Sequence, residues 1–183
     1  MEVKITILGT GTSQGIPVIG SSHPVCLSDN PKDKRLRVSA MIEVNDKRLI
    51  IDCGPDFRQQ MLSNKVSSID AVLFTHEHAD HTAGLDDLRP FYFRQGDLHC
   101  YMTSRVHEAL KERFNYIFTT ANKYPGVATL EVHEFINDTF TVDGIEVTPV
   151  LADHGYIPVH GFRIENVAYM TDVKTIAQGE KEK

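Results

Sequence analysis

Runs of apolar residues mark most of the strands that this chain is expected to form. Residues 3–8 alternate and are rich in β-branched side chains, which favours a strand, and a glycine-rich turn follows at 9–15. Two further strands, 38–44 and 48–52, flank Asn45-Asp46 and predict a hairpin. The remaining predicted strands are, in chain order, 69–75, 98–103, 130–135, 145–151, 161–164 and 167–171.

Helical spacing occurs between some of these strands. It predicts helices at 56–64 and 105–114, and a third over 83–93 that Pro90 is expected to interrupt. Strands that dominate, with helices between some of them, indicate an α/β layered domain. The tail at 179–183 is charged and is expected to be frayed.

Composition places the chain among ordinary globular proteins. Its 183 residues are 41% hydrophobic and 24% charged, which predicts one domain with a substantial core. The formal charge of −6 argues against a basic coat that grips nucleic acid by its phosphates. An anionic substrate would therefore need local positive charge, and bound metal could supply it.

The chain shows no sign of export or of membrane insertion. No charged-then-apolar leader precedes the first strand, and no apolar run approaches the ~20 residues of a membrane-spanning helix. Three scattered cysteines, Cys26, Cys53 and Cys100, do not suggest a disulfide framework. We therefore expect a cytoplasmic protein without a membrane partner, whose cysteines are thiols or metal ligands.

Histidine and aspartate are concentrated in one short segment after the strand at 69–75. It reads His76-x-His78-x-Asp80-His81, a set of nitrogen and oxygen ligands of the types that bind zinc. In extended backbone the first two histidines point the same way and can share one metal, whereas Asp80 and His81 follow a turn and can face a second. A solvent-facing polar loop is the alternative, but this density at a strand end favours a metal site.

The segment matches the H-x-H-x-D-H signature of the metallo-β-lactamase superfamily, and further segments resemble that superfamily in the same order. These are 50–54 (Ile-Ile-Asp-Cys-Gly), 151–155 (Leu-Ala-Asp-His-Gly) and 169–172 (Tyr-Met-Thr-Asp). Alone, His154 would be interpreted as a loop histidine and Asp172 as a helix N-cap. Their order and spacing after the motif favour metal ligands instead.

The resemblance implies a fold, a cofactor and a set of roles. The fold is the four-layer αββα sandwich of an α/β protein, as a single domain over 1–183 that lacks part of its C-terminal half. The cofactor is two divalent metal ions, Zn or Mn, with Asp52 bracing the ligand loop from behind. The implied ligands are His76, His78 and His154 at the first metal, Asp80 and His81 at the second, and Asp172 as the bridge, with Asp80 and Asp172 also catalytic.

Segments 9–17, 52–58 and 154–164 resemble the PhnP-type phosphodiesterases of the superfamily, to which the tRNA 3′-processing endonucleases are related. This likeness implies a metal-dependent hydrolase that uses a two-metal-activated hydroxide on a small cyclic or nucleotide-like phosphodiester. A tRNA 3′-processing-type endoribonuclease is an alternative, although nucleic acid is the less favoured partner. The basic cluster of this chain that could contact nucleic acid (Lys32, Lys34, Arg35, Arg37) is diluted by the acidic residues Asp29 and Asp33. A homodimer is left open.

Two departures from the family pattern stand out, and the first leaves a third hypothesis, a chain that binds metal without turnover. The superfamily adds a further histidine beyond the bridging aspartate, and no histidine follows Asp172 here. PhnP-type proteins often hold a structural zinc ion with cysteines. In this chain the candidate ligands for that ion are reduced to His23 and Cys26, whereas such a site needs four. His160 is a candidate substrate contact, whereas structural roles are expected for His99, His107 and His133.

Overall fold

Two β-sheets packed face to face form the centre of the molecule, as seen in a computed structural model that describes residues 2–119 and 124–183. In that part of the chain, the first sheet has the strand order β1-β2-β3-β4-β5-β6 and the second the order β10-β9-β8-β7. The strands are β1 (Val3–Gly9), β2 (Ser39–Val44), β3 (Lys47–Ile51), β4 (Ala71–Leu73), β5 (Leu98–Met102), β6 (Leu130–Glu134), β7 (Phe140–Val142), β8 (Ile145–Asp153), β9 (Pro158–Ile164) and β10 (Val167–Tyr169).

Helices connect several of these strands. They are α1 (Pro24–Leu27), α2 (Phe57–Ser63), α3 (Ala79–Thr82), α4 (Arg89–Gln95), α5 (Ser104–Arg113) and α6 (Asn115–Phe118), with 3₁₀ turns at Pro31–Asp33, Leu85–Leu88 and Gln178–Glu182. No helix among the described residues is long and apolar enough to cross a membrane. The α/β prediction is confirmed as a mixed fold of two sheets and helices.

Two apolar layers hold the sheets and helices together. Ile42, Leu49 and Leu73 of the first sheet pack against Val147 and Phe162 of the second, so that one layer lies between the sheets. The other face of the first sheet packs on the helices through the side chains of Ile50, Val72, Cys100, Phe57, Phe91 and Leu110. Strands β3 to β5 are buried on both faces, which explains their nearly continuous apolar sequences.

The direction of the strands determines where the site forms. Strands β1 to β3 pair antiparallel, and the predicted hairpin between β2 and β3 turns through Asn45 and Asp46, which both have positive φ. Strands β3, β4, β5 and β6 then run parallel. Parallel strands end at the same edge of a sheet, so the segments that follow β3 and β4 meet there.

Two local predictions are wrong and one strand was missed, each for an identifiable reason. Pro90 lies in the first turn of α4 and helps to begin that helix, because the first helical residues need no N–H partner. The tail is docked, since the Lys183 ammonium donates to the carbonyls of Asn137 and Pro149 at 3.1 and 3.3 Å. Strand β7 was not predicted, because three residues are too few to show an alternating pattern.

Candidate metal centre

Four strand ends supply the side chains of a single cluster. The motif segment follows β4, His154 follows β8, Asp172 follows β10, and Asp52 follows β3 behind them. We call the six side chains implied as ligands the motif centre: His76, His78, Asp80, His81, His154 and Asp172. The structure brings all six together, and their role as metal ligands stays a prediction.

The first donor group contains His76, His78, His154 and Asp172, whose ligand atoms all lie within 4.8 Å of one another. His76 Nε2 lies 3.0 Å from His78 Nδ1 and 3.6 Å from Asp172 Oδ2, and His154 Nε2 lies 3.5 Å from the same oxygen. Ligand atoms of a tetrahedral zinc ion are about 3.3–3.6 Å apart when the bonds are about 2.0–2.2 Å long. The spacing of this group therefore fits one metal ion.

The second donor group contains Asp80, His81 and again Asp172. His81 Nε2 lies 3.1 Å from Asp172 Oδ2 and 3.4 Å from Asp80 Oδ2. Asp172 Oδ2 thus faces both groups, which is the position that the bridging role requires. Its backbone is left-handed, with φ of +55°.

Asp52 holds the motif segment from behind, in the place that the family resemblance implies. This fully buried carboxylate accepts hydrogen bonds from the Thr75 amide and the Thr75 hydroxyl, both at 2.8 Å, and from His81 Nδ1 at 2.7 Å. Asp52 has a left-handed backbone as well, with φ of +62°. It therefore orients the first and the last parts of the motif at once.

The same hydrogen bonds direct the imidazole nitrogens of His76 and His81. The Thr75 hydroxyl donates its hydrogen bond to Asp52. His76 Nδ1 lies 3.0 Å from the Thr75 hydroxyl oxygen and must therefore be the donor in that contact. His81 Nδ1 donates to Asp52. In both rings Nε2 is the atom left to face the centre, and such orientation by an outer hydrogen bond is usual for histidines that bind metal.

Close backbone packing fixes the motif segment against the end of β3. The Cys53 amide donates to the His81 carbonyl at 2.9 Å, and the Gly84 amide donates to the Cys53 carbonyl at 2.8 Å. A Cβ atom on Gly54 would overlap the carbonyl oxygen of Asp80. Glycine is therefore required at 54 by the short distance between the two backbones.

Two arginines of α5 hold the outer side of the motif. Arg113 donates to the Glu77 carbonyl at 3.2 Å and to the Thr82 hydroxyl at 2.7 Å, and that hydroxyl donates to the His78 carbonyl at 2.9 Å. Arg105 pairs with the Glu77 carboxylate at 2.6 Å. Glu77 therefore contacts helix α5. The sequence did not reveal that these two arginines support the motif, because both are distant from it in the chain.

Charge in the centre is unevenly distributed. Burial lowers the pKa of His76 to about 4, so its ring is neutral near pH 7. Burial opposes ionisation of His81 too, but the carboxylates of Asp52, Asp172 and Asp80 outweigh it and raise the His81 pKa to about 12. The hydrogen bond from His81 lowers the pKa of Asp172 to about 2.

The donor set fits divalent metal ions. Several carboxylates meet in a largely buried place beside the protonated imidazole of His81, and bound cations would compensate their charge. Imidazole and carboxylate ligands suit zinc, manganese and iron. The observed donors are therefore of the kind that the resemblance implies.

Two other sequence-based candidates lie outside the centre. His160 is 7% exposed and packs edge-on against Phe135 with ring centroids 5.4 Å apart, so little of its side chain is available for contact with a substrate. His23 Nδ1 accepts a hydrogen bond from the Val25 amide and Cys26 is buried, and within 2–119 and 124–183 they do not join a group of three metal donors. The substrate-contact and structural-zinc candidates are not supported.

Two of the histidines for which structural roles are expected lie together. The ring nitrogens of His99 and His133 are 3.0 Å apart, and Glu131 is beside them. The sequence gives little sign of this because the residues belong to different strands. His107 is paired with Glu134 at 2.7 Å, in agreement with a structural role.

Known proteins match this chain over most of its length. The sequence family described as Beta-lactamase superfamily domain matches residues 47–183. An octanoyltransferase of Porphyromonas gingivalis is 42% identical over 182 residues, which is 98% of this chain and 37% of that protein. A ribonuclease Z of Clostridium acetobutylicum is 26% identical over 137 residues, covering 70% of this chain and 44% of that protein. The chain thus spans less than half the length of these two relatives, and the activities in their names belong to the longer proteins.

A solved structure with a similar sequence extends the match to the fold. A diphosphatase from the PhnP family superimposes with a TM-score of 0.90 at 36% identity, over 99% of this chain and 70% of that one. The family match at 47–183 also contains every residue of the motif centre. Because sequence family, fold and arrangement of donors agree, the chain belongs to the metallo-β-lactamase superfamily and resembles its PhnP-type members.

Proposed function

We propose that this protein is a metal-dependent phosphodiesterase that acts on a small cyclic or nucleotide-like diester. The observation that carries the proposal is the meeting of two donor groups on one atom, Asp172 Oδ2. The likeness to a PhnP-family diphosphatase supports chemistry at phosphorus. Superfamily membership alone would leave the substrate open.

In this proposal, each residue of the motif centre has a defined role in metal binding or hydrolysis. When bound, two divalent ions such as Zn²⁺ or Mn²⁺ would lower the pKa of water towards neutrality and neutralise charge that develops on the phosphoryl oxygens. His76, His78 and His154 would hold the first ion, Asp80 and His81 the second, and Asp172 both. The second group has three protein donors, which leaves a coordination position for water or substrate. Asp80 would also orient the attacking water.

Nucleic acid is the less supported substrate. Two of the four cations in the basic cluster are engaged within the fold, because Arg37 pairs with Asp56 at 2.9 Å and Arg35 donates to the Thr10 hydroxyl at 2.8 Å. A guanidinium that holds a loop in place is less available to phosphates of an extended strand. The ribonuclease Z relative keeps an endoribonuclease of the tRNA-processing type as the alternative.

The test is hydrolysis of bis-p-nitrophenyl phosphate after chelation and after return of Zn²⁺ or Mn²⁺. We expect turnover that disappears with chelator and returns with metal, and a loss of at least a hundredfold in His78→Ala. His107→Ala is the matched control, since this histidine lies outside the motif centre and should leave the rate unchanged.

The outcomes separate the competing functions. Diester turnover with no cleavage of precursor tRNA supports the proposal, and the reverse preference supports the endoribonuclease. Metal binding with no hydrolysis of either substrate contradicts both and supports a chain that binds metal without turnover. Equal losses in His78→Ala and His107→Ala would contradict the assignment of the centre.

A further inference from the structure

We propose that His99, Glu131 and His133 form a second, separate binding site for one transition-metal dication such as Zn²⁺. These three residues, here called the sheet cluster, lie on neighbouring parallel strands. His99 of β5 pairs in register with Glu131 of β6, and Glu131 and His133 share a face because side chains alternate along a strand. The register therefore places all three side chains on one side of the first sheet.

The donor atoms converge with the spacing of a metal site. His99 Nδ1 lies 3.0 Å from His133 Nε2. Glu131 Oε2 lies 3.4 Å from His99 Nδ1, and Glu131 Oε1 lies 3.6 Å from His133 Nε2. All three donor atoms lie within 4.8 Å of one another. Ligands of a tetrahedral ion with bonds of about 2.0–2.2 Å are about 3.3–3.6 Å apart. The sheet cluster matches this spacing nearly as well as the motif centre does.

Hydrogen bonding alone accounts for only part of this arrangement. One proton between the imidazoles explains their 3.0 Å separation. The carboxylate, however, stays further from both nitrogens than the 2.7–2.9 Å of a charge-assisted hydrogen bond. A carboxylate that faces both nitrogens without closing on either is satisfied, together with them, by a cation that lies between the three donors.

Aromatic packing holds one of the ligands in position. The His133 ring stacks on Tyr101, with centroids 4.5 Å apart and planes at 17°, and Tyr101 stacks on Phe140 at 5.2 Å. His133 is therefore oriented before an ion arrives, which reduces the cost of ordering it. The side chains of His99, Glu131 and His133 are 37%, 52% and 34% exposed, so an ion can enter from solvent and water can complete its coordination.

The ligand types select the ion. Two imidazoles and one carboxylate suit Zn²⁺, Ni²⁺ or Cu²⁺, whereas Mg²⁺ and Ca²⁺ prefer oxygen ligands throughout. A bound ion would tie β6, the last strand in the order of the first sheet, to β5. The two sites are separate, since their donors form different groups and His99 pairs with Ala71, at the end of β4 opposite to the one from which the motif follows.

The test counts Zn²⁺ ions by equilibrium dialysis of the full chain against a series of free Zn²⁺ concentrations. We expect His133→Gln to bind one equivalent fewer than the unaltered protein, and His99→Gln to show the same loss. Glu131→Gln should weaken that equivalent at least tenfold. His107→Gln is the matched control, because it alters a histidine paired with one glutamate and should keep the full number of ions.

The comparison does not depend on how many ions the motif centre holds or on hydrolysis, because every variant keeps that centre. Circular dichroism checks that each variant is folded, and turnover of bis-p-nitrophenyl phosphate should be unchanged in all of them. The same stoichiometry and affinity in His133→Gln, His99→Gln and the unaltered protein would overturn the proposal. A loss in His107→Gln as large as in the other two would overturn it too.

Discussion

The motif centre and the sheet cluster offer similar ligand side chains but differ in what surrounds them. In the motif centre, His76 and His81 are fully buried, and the buried Asp52 and Thr75 fix their rings from behind. In the sheet cluster, all three side chains are a third to a half exposed, and His133 rests on one tyrosine. Rigid outer contacts increase metal affinity and make the site part of the core. We therefore expect tight binding coupled to stability in the first site, and weaker binding with little effect on the fold in the second.

The largest effect is expected for Asp52→Ala. The substitution leaves the Thr75 amide, the Thr75 hydroxyl and His81 without their buried acceptor, and breaking a buried ionic contact of this kind costs about 3–5 kcal/mol. Urea unfolding of the metal-free protein measures it. The control is Asp143→Asn, which removes the charge of a 43% exposed partner of Lys47, tolerates the left-handed backbone there and should cost less than about 1 kcal/mol. Similar losses in the two variants would remove the distinction between the sites.

A smaller loss is expected for Gly54→Ala. The added methyl group would overlap the Asp80 carbonyl, and overpacking of this kind costs about 1–3 kcal/mol. Because Asp80 belongs to the second donor group, Zn²⁺ titration should also show weaker binding of one ion. Gly179→Ala is the control, since no atom lies within 4 Å of the Cβ position there. An unchanged unfolding midpoint in Gly54→Ala would argue against the close contact between the two backbones.

Arg113→Met should have an effect of about 1 kcal/mol. It leaves the Glu77 carbonyl and the Thr82 hydroxyl without their donor while retaining most of the apolar stem. We also expect about a tenfold loss of Zn²⁺ affinity at the motif centre, the lower end of what outer contacts contribute. Lys111→Met on the same helix removes an exposed pair with Glu108 and should change neither quantity. Unchanged affinity in Arg113→Met would show that α5 does not support the ligand loop.

The smallest effect is expected for His99→Gln in metal-free protein. This half-exposed side chain has no buried partner to leave unsatisfied, so the free energy of unfolding should change by less than about 0.5 kcal/mol. Adding Zn²⁺ should raise the melting temperature of the unaltered protein more than that of the variant, since an ion bound to the folded state stabilises it. A loss of more than about 1 kcal/mol without metal would show that the sheet cluster is a structural contact.

How much of the molecule the sequence predicts depends on how local each signal is. Strand β1, the β2–β3 hairpin and α5 are visible because each carries its own pattern and turn residues. The docking of the tail is not visible in the sequence, because Glu180 accepts a hydrogen bond from the amide of Leu151, which is far away in the chain. Charged residues at an end favour fraying unless such a distant partner exists.

The same rule applies to the two groups of histidines. The motif is recognisable because four donors fall within six residues, whereas Asp52, His154 and Asp172 needed the family resemblance. The sheet cluster joins His99 to residues more than thirty positions later. Only the parallel register of β5 and β6 makes them neighbours, and this register is not readable from hydrophobic alternation.

The left-handed backbones of Asp52 and Asp172 limit how this protein can evolve. Asn, Asp and Gly adopt that conformation at low cost, and of these three Asp alone has a carboxylate. Glutamate would keep the charge but strain the backbone, whereas asparagine would keep the backbone but lose the charge. Substitution at either position is therefore strongly restricted, and a descendant that replaces one of them loses a carboxylate from the motif centre or from the support behind it.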